Sequence, residues 1–443
     1  MAGCSPKDRV RAAKSRETCC CAFLKEWPAS ADVARLADYP ATIWIEAKLF
    51  SKYGVKAAWG SHFSWEPGPQ PGKTRLRHWP DHPGQDLPTS RGDMPAGLLA
   101  FLIALFASLM LTVPVRALAL RMGMVDLPGP RKVHLRPIPL LGGLAMYGAV
   151  VLSVLFTFSG AARAQIVGIL TGATVVGAVG ILDDRGWLHH QVKLFLAMPL
   201  AACVLLVTGI HAQVFEILLS GRTGYILDAI LTVFFVVGIT ASFSILDHMD
   251  GLCAGVAATA SIFFALLAYL NGQTLVTTLA AAVLGAATGF LRWNFKPAKI
   301  FMGDGGAMFL GFLMATLGLK LRLEGANHIS AWLAPLLILG VTIFDTTLVI
   351  ISRSRRGLLP FTTPGKDHAA HRLANLGLGH RGAVISMYFL GLLSGGAAVL
   401  VSYLQPISAV LVALFAFAVV LGGVMLLERA PYERQAQKPA AFS

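Results

Sequence analysis

Apolar residues recur in long runs between about residue 95 and residue 427 of this chain. A helix needs roughly 20 apolar residues to cross a hydrocarbon core of about 30 Å, and most of the runs are close to that length. The pattern predicts about eleven transmembrane helices, at 95–116, 138–158, 165–182, 192–210, 224–245, 251–270, 274–291, 305–320, 331–351, 382–403 and 406–427. We therefore expect an all-α polytopic membrane protein.

The composition supports this prediction. Hydrophobic residues make up 55% of the chain and charged residues 14%, and the mean hydropathy is +0.65. These values exclude an ordinary water-soluble protein. No segment between the apolar runs is long enough for a water-soluble domain of comparable size. We expect a membrane-embedded domain at 94–427, followed by a cytoplasmic tail at 428–443.

Residues 1–93 have a different character. They contain four of the six cysteines and five of the eight tryptophans, but no sustained apolar period. A signal peptide is not indicated, because no apolar run of adequate length follows the basic start. We interpret the segment as disordered, or as a non-native extension upstream of a start at Met94. A small accessory domain is the alternative.

The distribution of lysine and arginine among the predicted loops indicates the orientation. If each loop is numbered by the helix before it, the odd loops hold fifteen of these residues and the even loops four. Short basic loops stay in the cytoplasm, so we expect the odd loops to face it. The net charge of +14 follows from this topology and also attracts anionic groups. We expect no nucleic-acid partner.

The odd loops also carry the unusual polar sequences. In chain order they read DLPGPRKVHLRPIPLLGG, LDDRGWLHHQVK, LDHMDG, RWNFKPAKIFMGDGG and SRSRRGLLPFTTPGKDHAAHRL. A transporter typically places polar residues near the middle of broken or repeat-related helices. Here the polar residues gather at one membrane surface and no internal repeat is found. This asymmetry favours an enzyme or binding site at that surface over a transporter.

Five aspartates in these loops form the main candidate site. Asp183 and Asp184 end the third apolar run, and helical neighbours point about 100° apart. We therefore expect at most one of them to face a cleft while the other orients a basic residue. Asp247 and Asp250 would share a face if helical. Asp304 precedes two glycines that would let backbone N–H groups approach a ligand; each motif is also compatible with a plain helix end or turn.

Carboxylates on one surface suit a hard cation such as Mg²⁺, which typically takes one or two of them together with substrate phosphates. The same loops supply bases that suit phosphate, namely Lys132, His134, Lys193, His368, His371 and Arg372. This mixture is typical of phosphoryl chemistry, in which catalysis is mostly positioning and charge neutralisation. A structural network of ion pairs is the alternative. Asp345, an acid within an apolar run, is either functional or a brace for a neighbouring loop.

These motifs resemble those of the polyprenyl-phosphate N-acetylhexosamine-1-phosphate transferases (glycosyltransferase family 4). The resemblance covers about 94–427 and rests on DLPGPRKVHLRPIPLLGG, GILDDRG, DHMDGLCAG, NFKPAKIFMGDGGAMFLG and PGKDHAAHRL. It implies transfer of an N-acetylhexosamine 1-phosphate from a UDP-sugar to undecaprenyl phosphate, with release of UMP, in the inner (cytoplasmic) membrane. This would be the first membrane step of cell-surface polysaccharide synthesis. Mg²⁺ is the implied cofactor, with Mn²⁺ as a second candidate.

The resemblance also implies roles for individual residues. Asp304 would bind the metal, and Asp183 and Asp184 would be the catalytic pair. Substrate contacts are implied for Lys132, His134, Lys193, Asp247, Asp250, Asn294, His368, His371 and Arg372. The sequence DHAAHRL resembles the branch that uses UDP-GlcNAc, because the peptidoglycan branch has consecutive histidines there. Whether the protein is a homodimer stays open.

One motif departs from the family pattern. Relatives usually read TNAFNLLDNMDG, whereas this chain reads TASFSILDHMDG, so that Ala241, Ser244 and His248 replace asparagines. A serine hydroxyl can still ligate Mg²⁺, but an alanine cannot. An inactive or altered-specificity relative therefore stays open as a rival, as does a polytopic transporter. A CDP-alcohol phosphotransferase is disfavoured because its Asp-Gly, Ala-Arg and Gly-Asp pattern is absent.

Two mechanisms fit the implied reaction. An aspartate attacks the β-phosphate and forms a covalent intermediate, or the lipid phosphate attacks directly. A phosphate monoester has a second pKa of about 6, so the lipid phosphate is mostly dianionic at neutral pH and needs little help from a base. The larger obstacle is to bring two anions together. We therefore favour direct attack.

Overall fold

The structure is a computed structural model. It describes residues 94–127, 137–158, 162–188, 190–219, 221–359 and 365–430. The expectations for residues 1–93 and for most of the C-terminal tail lie outside these ranges. Lys132 and His134 of the first loop also lie outside them.

The described chain is almost entirely helical. Its helices are α1 (Met94–Arg121), α2 (Gly142–Thr157), α3 (Arg163–Asp184), α4 (His190–Val192, a π-helical turn at Lys193–Ala197, and Met198–Val207), α5 (Phe215–Leu218), α6 (Arg222–Leu246), α7 (Leu252–Leu270), α8 (Thr274–Asn294), α9 (Gly303–Lys320), α10 (His328–Ile338), α11 (Gly340–Ser354), α12 (Ala369–Leu373), α13 (Gly379–Ser402) and α14 (Pro406–Glu428). A second π-helical turn, Ala374–Leu378, joins α12 to α13. Strands β1 (Val125–Asp126) and β2 (Ile138–Pro139) form an antiparallel pair.

Seven of the described helices are long and apolar enough to cross a membrane. The number becomes eight if α10 and α11, which meet at a bend of 71°, form one span. Each of the eleven predicted runs overlaps a described helix, although α2 and the apolar part of α4 are short for a span. The prediction of an all-α polytopic membrane protein is confirmed.

Helix α9 lies at the centre of the bundle. All of its residues from Gly305 to Leu319 are buried, and it packs against α2, α3 and α6. By contrast, only 11% of the most apolar 18-residue stretch of α14 is buried inside the bundle, and side chains such as Ile407 and Phe415 are exposed. Exposed apolar surface of this extent is typical of a helix that faces lipid.

Four glycines let α9 touch its neighbours at the backbone. A Cβ atom added to Gly143 of α2 would lie 2.2 Å from the Cα atom of Gly306, and one added to Gly180 of α3 would lie 2.5 Å from the Cα atom of Gly305. No side chain fits at such distances, so this packing requires glycine. We call Gly143, Gly180, Gly305 and Gly306 the glycine junction. It fixes the start of α9 against α2 and α3.

Backbone hydrogen bonds join the loop after α1 to the loop after α8. Asp126 of β1 pairs with Ile138 of β2. The N–H of Phe301 donates to the carbonyl oxygen of Pro139 over 2.8 Å, and the carbonyl oxygen of Phe301 accepts from Gly142 over 2.9 Å. These bonds hold the start of α9, two residues after Phe301, beside the start of α2.

Candidate active site

The odd loops meet around one cavity of about 630 Å³. Six residues that the sequence singles out line it: Asp184, Asp247, Asp250, Asn294, Asp304 and His371. They come from the ends of α3 and α8, the loop between α6 and α7, the start of α9, and α12. The other described candidates, Asp183, Lys193, His368 and Arg372, are not among the lining residues.

Asp184 holds the start of α9. Its Oδ1 accepts a hydrogen bond from the N–H of Asp304 over 2.9 Å, and its Oδ2 accepts one from Gly305 over 3.3 Å. The first N–H groups of a helix lack partners within the helix, and a carboxylate there also interacts favourably with the helix dipole. Of the two glycine N–H groups predicted to approach a ligand, that of Gly305 is therefore engaged by Asp184 instead. Gly303 is required because a Cβ atom there would lie 2.5 Å from Oδ2 of Asp184.

Lys193 links two aspartates. Its Nζ donates to Oδ2 of Asp183 over 2.6 Å and to Oδ2 of Asp304 over 2.5 Å. Lys193 is the first residue of the π-helical turn in α4, and such turns are frequent at functional sites. The structure thus has the arrangement expected for the Asp183–Asp184 pair: one carboxylate orients a basic residue, and the other faces the cavity.

Ser244, which replaces an asparagine of the family pattern, contacts Asp304, the predicted metal ligand. Its hydroxyl donates to Oδ1 of Asp304 over 2.9 Å. Each carboxylate oxygen of Asp304 therefore has its own hydrogen-bond donor: Ser244 for Oδ1 and Lys193 for Oδ2. Ala241 is buried about one helical turn earlier in α6 and offers no polar group.

Asp247 and Asp250 lie in a loop. Helix α6 ends at Leu246 and α7 begins at Leu252, with Gly251 at a φ of 81° between them. The condition under which the two acids would share a helical face is therefore not met, although both line the cavity. Oδ2 of Asp250 accepts a hydrogen bond from the N–H of Ala298 over 3.1 Å.

Asp247 is the least compensated acid of the cavity. No described residue donates a hydrogen bond to its carboxylate. Burial, followed by the negative charges of Asp304, Asp184 and Asp250, raises the pKa of Asp247 to about 8. A bound cation would relieve this repulsion and favour the ionised form.

Asn294 braces two loops. Its Oδ1 accepts a hydrogen bond from the N–H of Gly251 over 3.0 Å, and its Nδ2 donates to the carbonyl oxygen of Ile300 over 3.0 Å. The side chain is buried at the edge of the cavity. Because backbone groups engage both ends of the amide, Asn294 shapes the cavity wall, and its contact with a substrate stays a prediction.

Arg372 lies away from the cavity. It is fully buried, and its guanidinium donates to the carbonyl oxygens of Asp367 and Leu427 over 2.8 and 2.7 Å. An ion pair of 3.0 Å joins it to Glu428. The geometry therefore does not support the predicted substrate contact, because burial and these partners confine Arg372 to fixing α14 against α12.

His368 faces Asp345 rather than the cavity. Its Nδ1 lies 2.9 Å from Oδ2 of Asp345, and Oδ1 of Asp345 accepts a hydrogen bond from the N–H of Ala369 over 2.7 Å. Asp345 is only 1% exposed. Of the two roles that the sequence left open for Asp345, these contacts show the brace, which holds the start of α12.

Asp367 neutralises two arginines beside this brace. It accepts hydrogen bonds from Nε and Nη2 of Arg353 over 3.0 and 2.9 Å, and from Arg356. Although burial opposes ionisation, the hydrogen bonds from Arg353 and Arg356 lower the pKa of Asp367 to about 2. The carboxylate is therefore ionised at neutral pH.

The cavity wall also includes residues that the sequence analysis missed, treated only as topological charges or, for His248, noted only as the replacement of a family asparagine. These are Asp126, His248, Lys296, Lys366, His380 and Arg381. Four of the five basic ones come from the loops after α8 and α11 or from α13. Their closeness to the family motifs in sequence was the available signal. They add basic groups to a cavity wall that also carries aspartates, and we call these five basic residues the basic side of the cavity and its aspartates the acidic side.

The acidic side fits a hard divalent cation. Asp184, Asp247 and Asp304 all line the cavity, the negative charges of Asp184 and Asp304 act on Asp247, and Mg²⁺ prefers oxygen ligands. Asp247, whose burial among other carboxylates is the least compensated, and Asp304, whose carboxylate Lys193 and Ser244 hold in place, are the best candidates to hold it. The basic side suits phosphate oxygens. Together the two sides suit a diphosphate bound with a metal ion.

Comparisons with known proteins point to the same chemistry. Residues 166–322 match the family model Glycosyl transferase family 4. The chain is 38% identical over 298 residues to the probable undecaprenyl-phosphate N-acetylglucosaminyl 1-phosphate transferase of Bacillus subtilis (strain 168), a match that covers 66% of this chain and 82% of the relative.

Two further relatives have names that describe the same type of transferase. The decaprenyl-phosphate N-acetylglucosaminephosphotransferase of Mycolicibacterium smegmatis is 33% identical over 370 residues, covering 76% of this chain and 89% of the relative. The undecaprenyl-phosphate alpha-N-acetylglucosaminyl 1-phosphate transferase of Escherichia coli (strain K12) is 26% identical over 302 residues, covering 65% and 79%. The family resemblance read from the motifs is confirmed.

Proposed function

Because the chain belongs to glycosyl transferase family 4, we propose that it transfers N-acetylglucosamine 1-phosphate from UDP-GlcNAc to undecaprenyl phosphate and releases UMP. One observation carries the proposal: aspartates and basic residues from all five odd loops converge on a single cavity. Such a cavity suits two anionic substrates. The relatives' names specify the transferred group and a polyprenyl phosphate acceptor, and the UDP-sugar donor is our inference.

Direct transfer agrees best with the contacts of the aspartates. An oxygen of the lipid phosphate would form a bond to the β-phosphorus, which carries the sugar. The bond from that phosphorus to the oxygen bridging the two phosphates would break, and UMP would leave with that oxygen. Asp184 is engaged by two N–H groups and Asp183 by Lys193, which disfavours either carboxylate as a covalent nucleophile.

The basic side of the cavity would reduce the repulsion between the two substrates. Lys296, Lys366 and Arg381 line the cavity and carry positive charge. Fixed charges of this kind are most effective where they face negative charge that develops or is concentrated in the transition state. His371 would bind phosphate or sugar oxygens from the same side.

Mg²⁺ would be held by Asp304 and Asp247, with Mn²⁺ as an alternative ion that takes similar oxygen ligands. When bound, the ion would neutralise the diphosphate of the donor. Lys193 and Ser244 hold the Asp304 carboxylate in position for this role. Asp184 contributes by fixing the backbone of Asp304.

The finer topology is also part of the proposal. All eleven helical runs would cross the inner membrane, and the cavity would face the cytoplasm. The excess of lysine and arginine in the loops that form the cavity supports this orientation. The lipid acceptor would lie along the apolar surface of the bundle with its phosphate at the cavity. The homodimer stays a prediction.

The proposal is tested by transfer of radiolabelled sugar phosphate from UDP-GlcNAc to undecaprenyl phosphate by the purified full-length protein, with Mg²⁺ or with EDTA. We expect labelled lipid and an equal amount of UMP with Mg²⁺ only. Asp304→Asn should lower the rate by roughly a hundredfold or more, the scale of losing a main electrostatic contact in a transition state. Glu324→Gln, which changes an exposed acid between α9 and α10, is the matched control.

The same experiment distinguishes the rivals. Folded protein that labels no lipid with UDP-GlcNAc, UDP-GalNAc or another UDP-sugar would contradict the proposal and favour an inactive relative, as Ala241 and Ser244 suggest. Uptake of an intact sugar nucleotide into vesicles without release of UMP would indicate a transporter. Transfer from UDP-GalNAc but not from UDP-GlcNAc would support the proposed reaction type with a different donor sugar.

A further inference from the structure

Three side chains at and behind the wall of the cavity form a cluster that the proposed transfer does not use. His248 lies between α6 and α7, Asp345 in α11, and His368 immediately before α12. Nδ1 of His368 lies 2.9 Å from Oδ2 of Asp345, and Nε2 of His248 lies 4.0 Å from the same oxygen. One ligand atom from each residue lies within 4.8 Å of the others. We call these residues the His–Asp–His cluster.

His248 is the unusual member of this cluster. Neither of its ring nitrogens has a hydrogen-bond partner among the described residues, although both atoms are buried. A buried polar atom without a partner is energetically unfavourable, and such atoms in folded proteins require an explanation. The ring stacks on His368 with centroids 3.9 Å apart. Stacking explains where the ring lies, but it does not satisfy the nitrogen atoms.

We propose that His248, Asp345 and His368 bind a transition-metal ion of the zinc class, at a site separate from the proposed Mg²⁺ site. Zn²⁺ takes imidazole nitrogen and carboxylate oxygen at about 2.0–2.2 Å, which separates tetrahedral ligand atoms by about 3.4 Å. The distances of 2.9 and 4.0 Å lie on either side of that value, so small shifts of the side chains suffice. Imidazole ligands favour such ions over Mg²⁺.

Neighbouring contacts prepare Asp345 for this role. Its Oδ1 accepts the N–H of Ala369, so the other oxygen, Oδ2, is the one directed at both histidines. A ligand fixed by a second hydrogen bond binds metal more tightly than a mobile one.

Charge and access are also favourable. Arg353, whose Nη2 lies 3.5 Å from Nε2 of His368, is paired with Asp367 at 2.9 Å, so its positive charge beside the ion is compensated. His248 lines the cavity, which gives an ion a path from solvent. A water molecule that enters by this path would complete a four-coordinate site.

The test measures binding of Zn²⁺ to the purified full-length protein by isothermal titration calorimetry, after removal of metals with EDTA and in excess Mg²⁺. We expect one equivalent of zinc. His248→Asn should weaken binding at least about tenfold, since even second-shell changes at metal sites cost that much. His328→Asn, which changes an exposed histidine at the start of α10, is the matched control and should bind zinc like the unaltered protein.

A second readout is the visible absorption of bound Co²⁺, which reports nitrogen and oxygen ligands in a four-coordinate site. We expect this absorption in the unaltered protein and in Asp304→Asn, and its loss in His248→Asn, with His248→Gln as a second variant should His248→Asn fail to fold. Unchanged zinc affinity in a folded His248 variant, no bound zinc, or loss of zinc in Asp304→Asn would each overturn the proposal. Because binding is measured and not transfer, failure of the proposed reaction would leave this result unaffected.

Discussion

At the scale of single residues, Ser244 occupies the position where the family pattern has an asparagine. Its hydroxyl donates to Oδ1 of Asp304, and a hydrogen bond to a charged group contributes about 1.5–3 kcal/mol. We expect Ser244→Ala to lower the transfer rate about tenfold or more. Ser244→Asn, whose amide can donate to the same oxygen, should keep most of the activity. The measurement is the initial rate as a function of Mg²⁺ concentration.

Ser242→Ala is the matched control for this prediction. The hydroxyl of Ser242 donates to the carbonyl oxygen of Gly238 within α6 over 2.8 Å, and it has no part in the cavity. Its removal should leave the rate unchanged. Equal rates for Ser242→Ala and Ser244→Ala would show that the hydrogen bond to Asp304 is dispensable.

Asp367 gives the protein a pH-dependent stability. Its pKa of about 2 lies below its ordinary value of 3.8, so the folded state favours the ionised carboxylate. This stabilisation is complete above about pH 4, corresponds to roughly 2 kcal/mol, and is lost as the pH falls through 2.

Asp367→Asn should therefore unfold at a lower temperature than the unaltered protein at pH 7, also because buried Arg353 loses its partner. The difference in Tm should shrink between pH 4 and pH 2.5. Thermal unfolding in detergent at several pH values measures it. A difference in Tm that stays constant over this range would contradict the low pKa.

Among the structural elements, the glycine junction decides how α2, α3 and α9 meet. Gly143→Ala should destabilise the fold by about 1–3 kcal/mol, the usual cost of overpacking, and lower the Tm. Gly238→Ala in α6, where an added Cβ atom meets nothing within 4 Å, should be neutral or slightly stabilising, since alanine favours a helix by about 0.5–1 kcal/mol. Equal Tm values for both variants would show that α2 and α9 can accommodate a Cβ atom at Gly143 without loss of stability.

The sequence predicted the helices well and their packing poorly, for one physical reason. A membrane span needs a long apolar run, which is visible in the sequence, but a span that is apolar on every face does not reveal which face is buried. Nothing in the run at 305–320 therefore indicated that α9 occupies the centre. The spacing of Asp247 and Asp250 was ambiguous in the same way, because a separation of three residues fits a helix and a turn.

For the molecule as a whole, the orientation can be tested by cysteine labelling. In a variant whose six native cysteines are replaced, Arg355→Cys lies on the side of the cavity and Glu324→Cys on the opposite side; both positions are exposed. A membrane-impermeant maleimide should label Glu324→Cys in intact cells. Arg355→Cys should be labelled only after permeabilisation. The reverse result would place the cavity outside the cytoplasm.

The location of the site was predictable at this scale because charge asymmetry is a property of whole loops. The roles of individual residues were not. Arg372 reads as a phosphate ligand in sequence, but its partner Glu428 comes from the last described helix, and such a pairing leaves no local signal. Asn294 is similar, since its two partners lie in separate loops.

The backbone contact at the glycine junction has a consequence for which sequence changes the protein can accept. Gly143 and Gly306 each lie so close to the other helix that any single-codon replacement adds atoms where none fit, and the shift would reach Asp304, two residues before Gly306. This contact therefore couples the packing of the helices to the candidate site. A side chain at Gly143 or Gly306 should then disturb the site and the fold together, so we expect neither position to accept one.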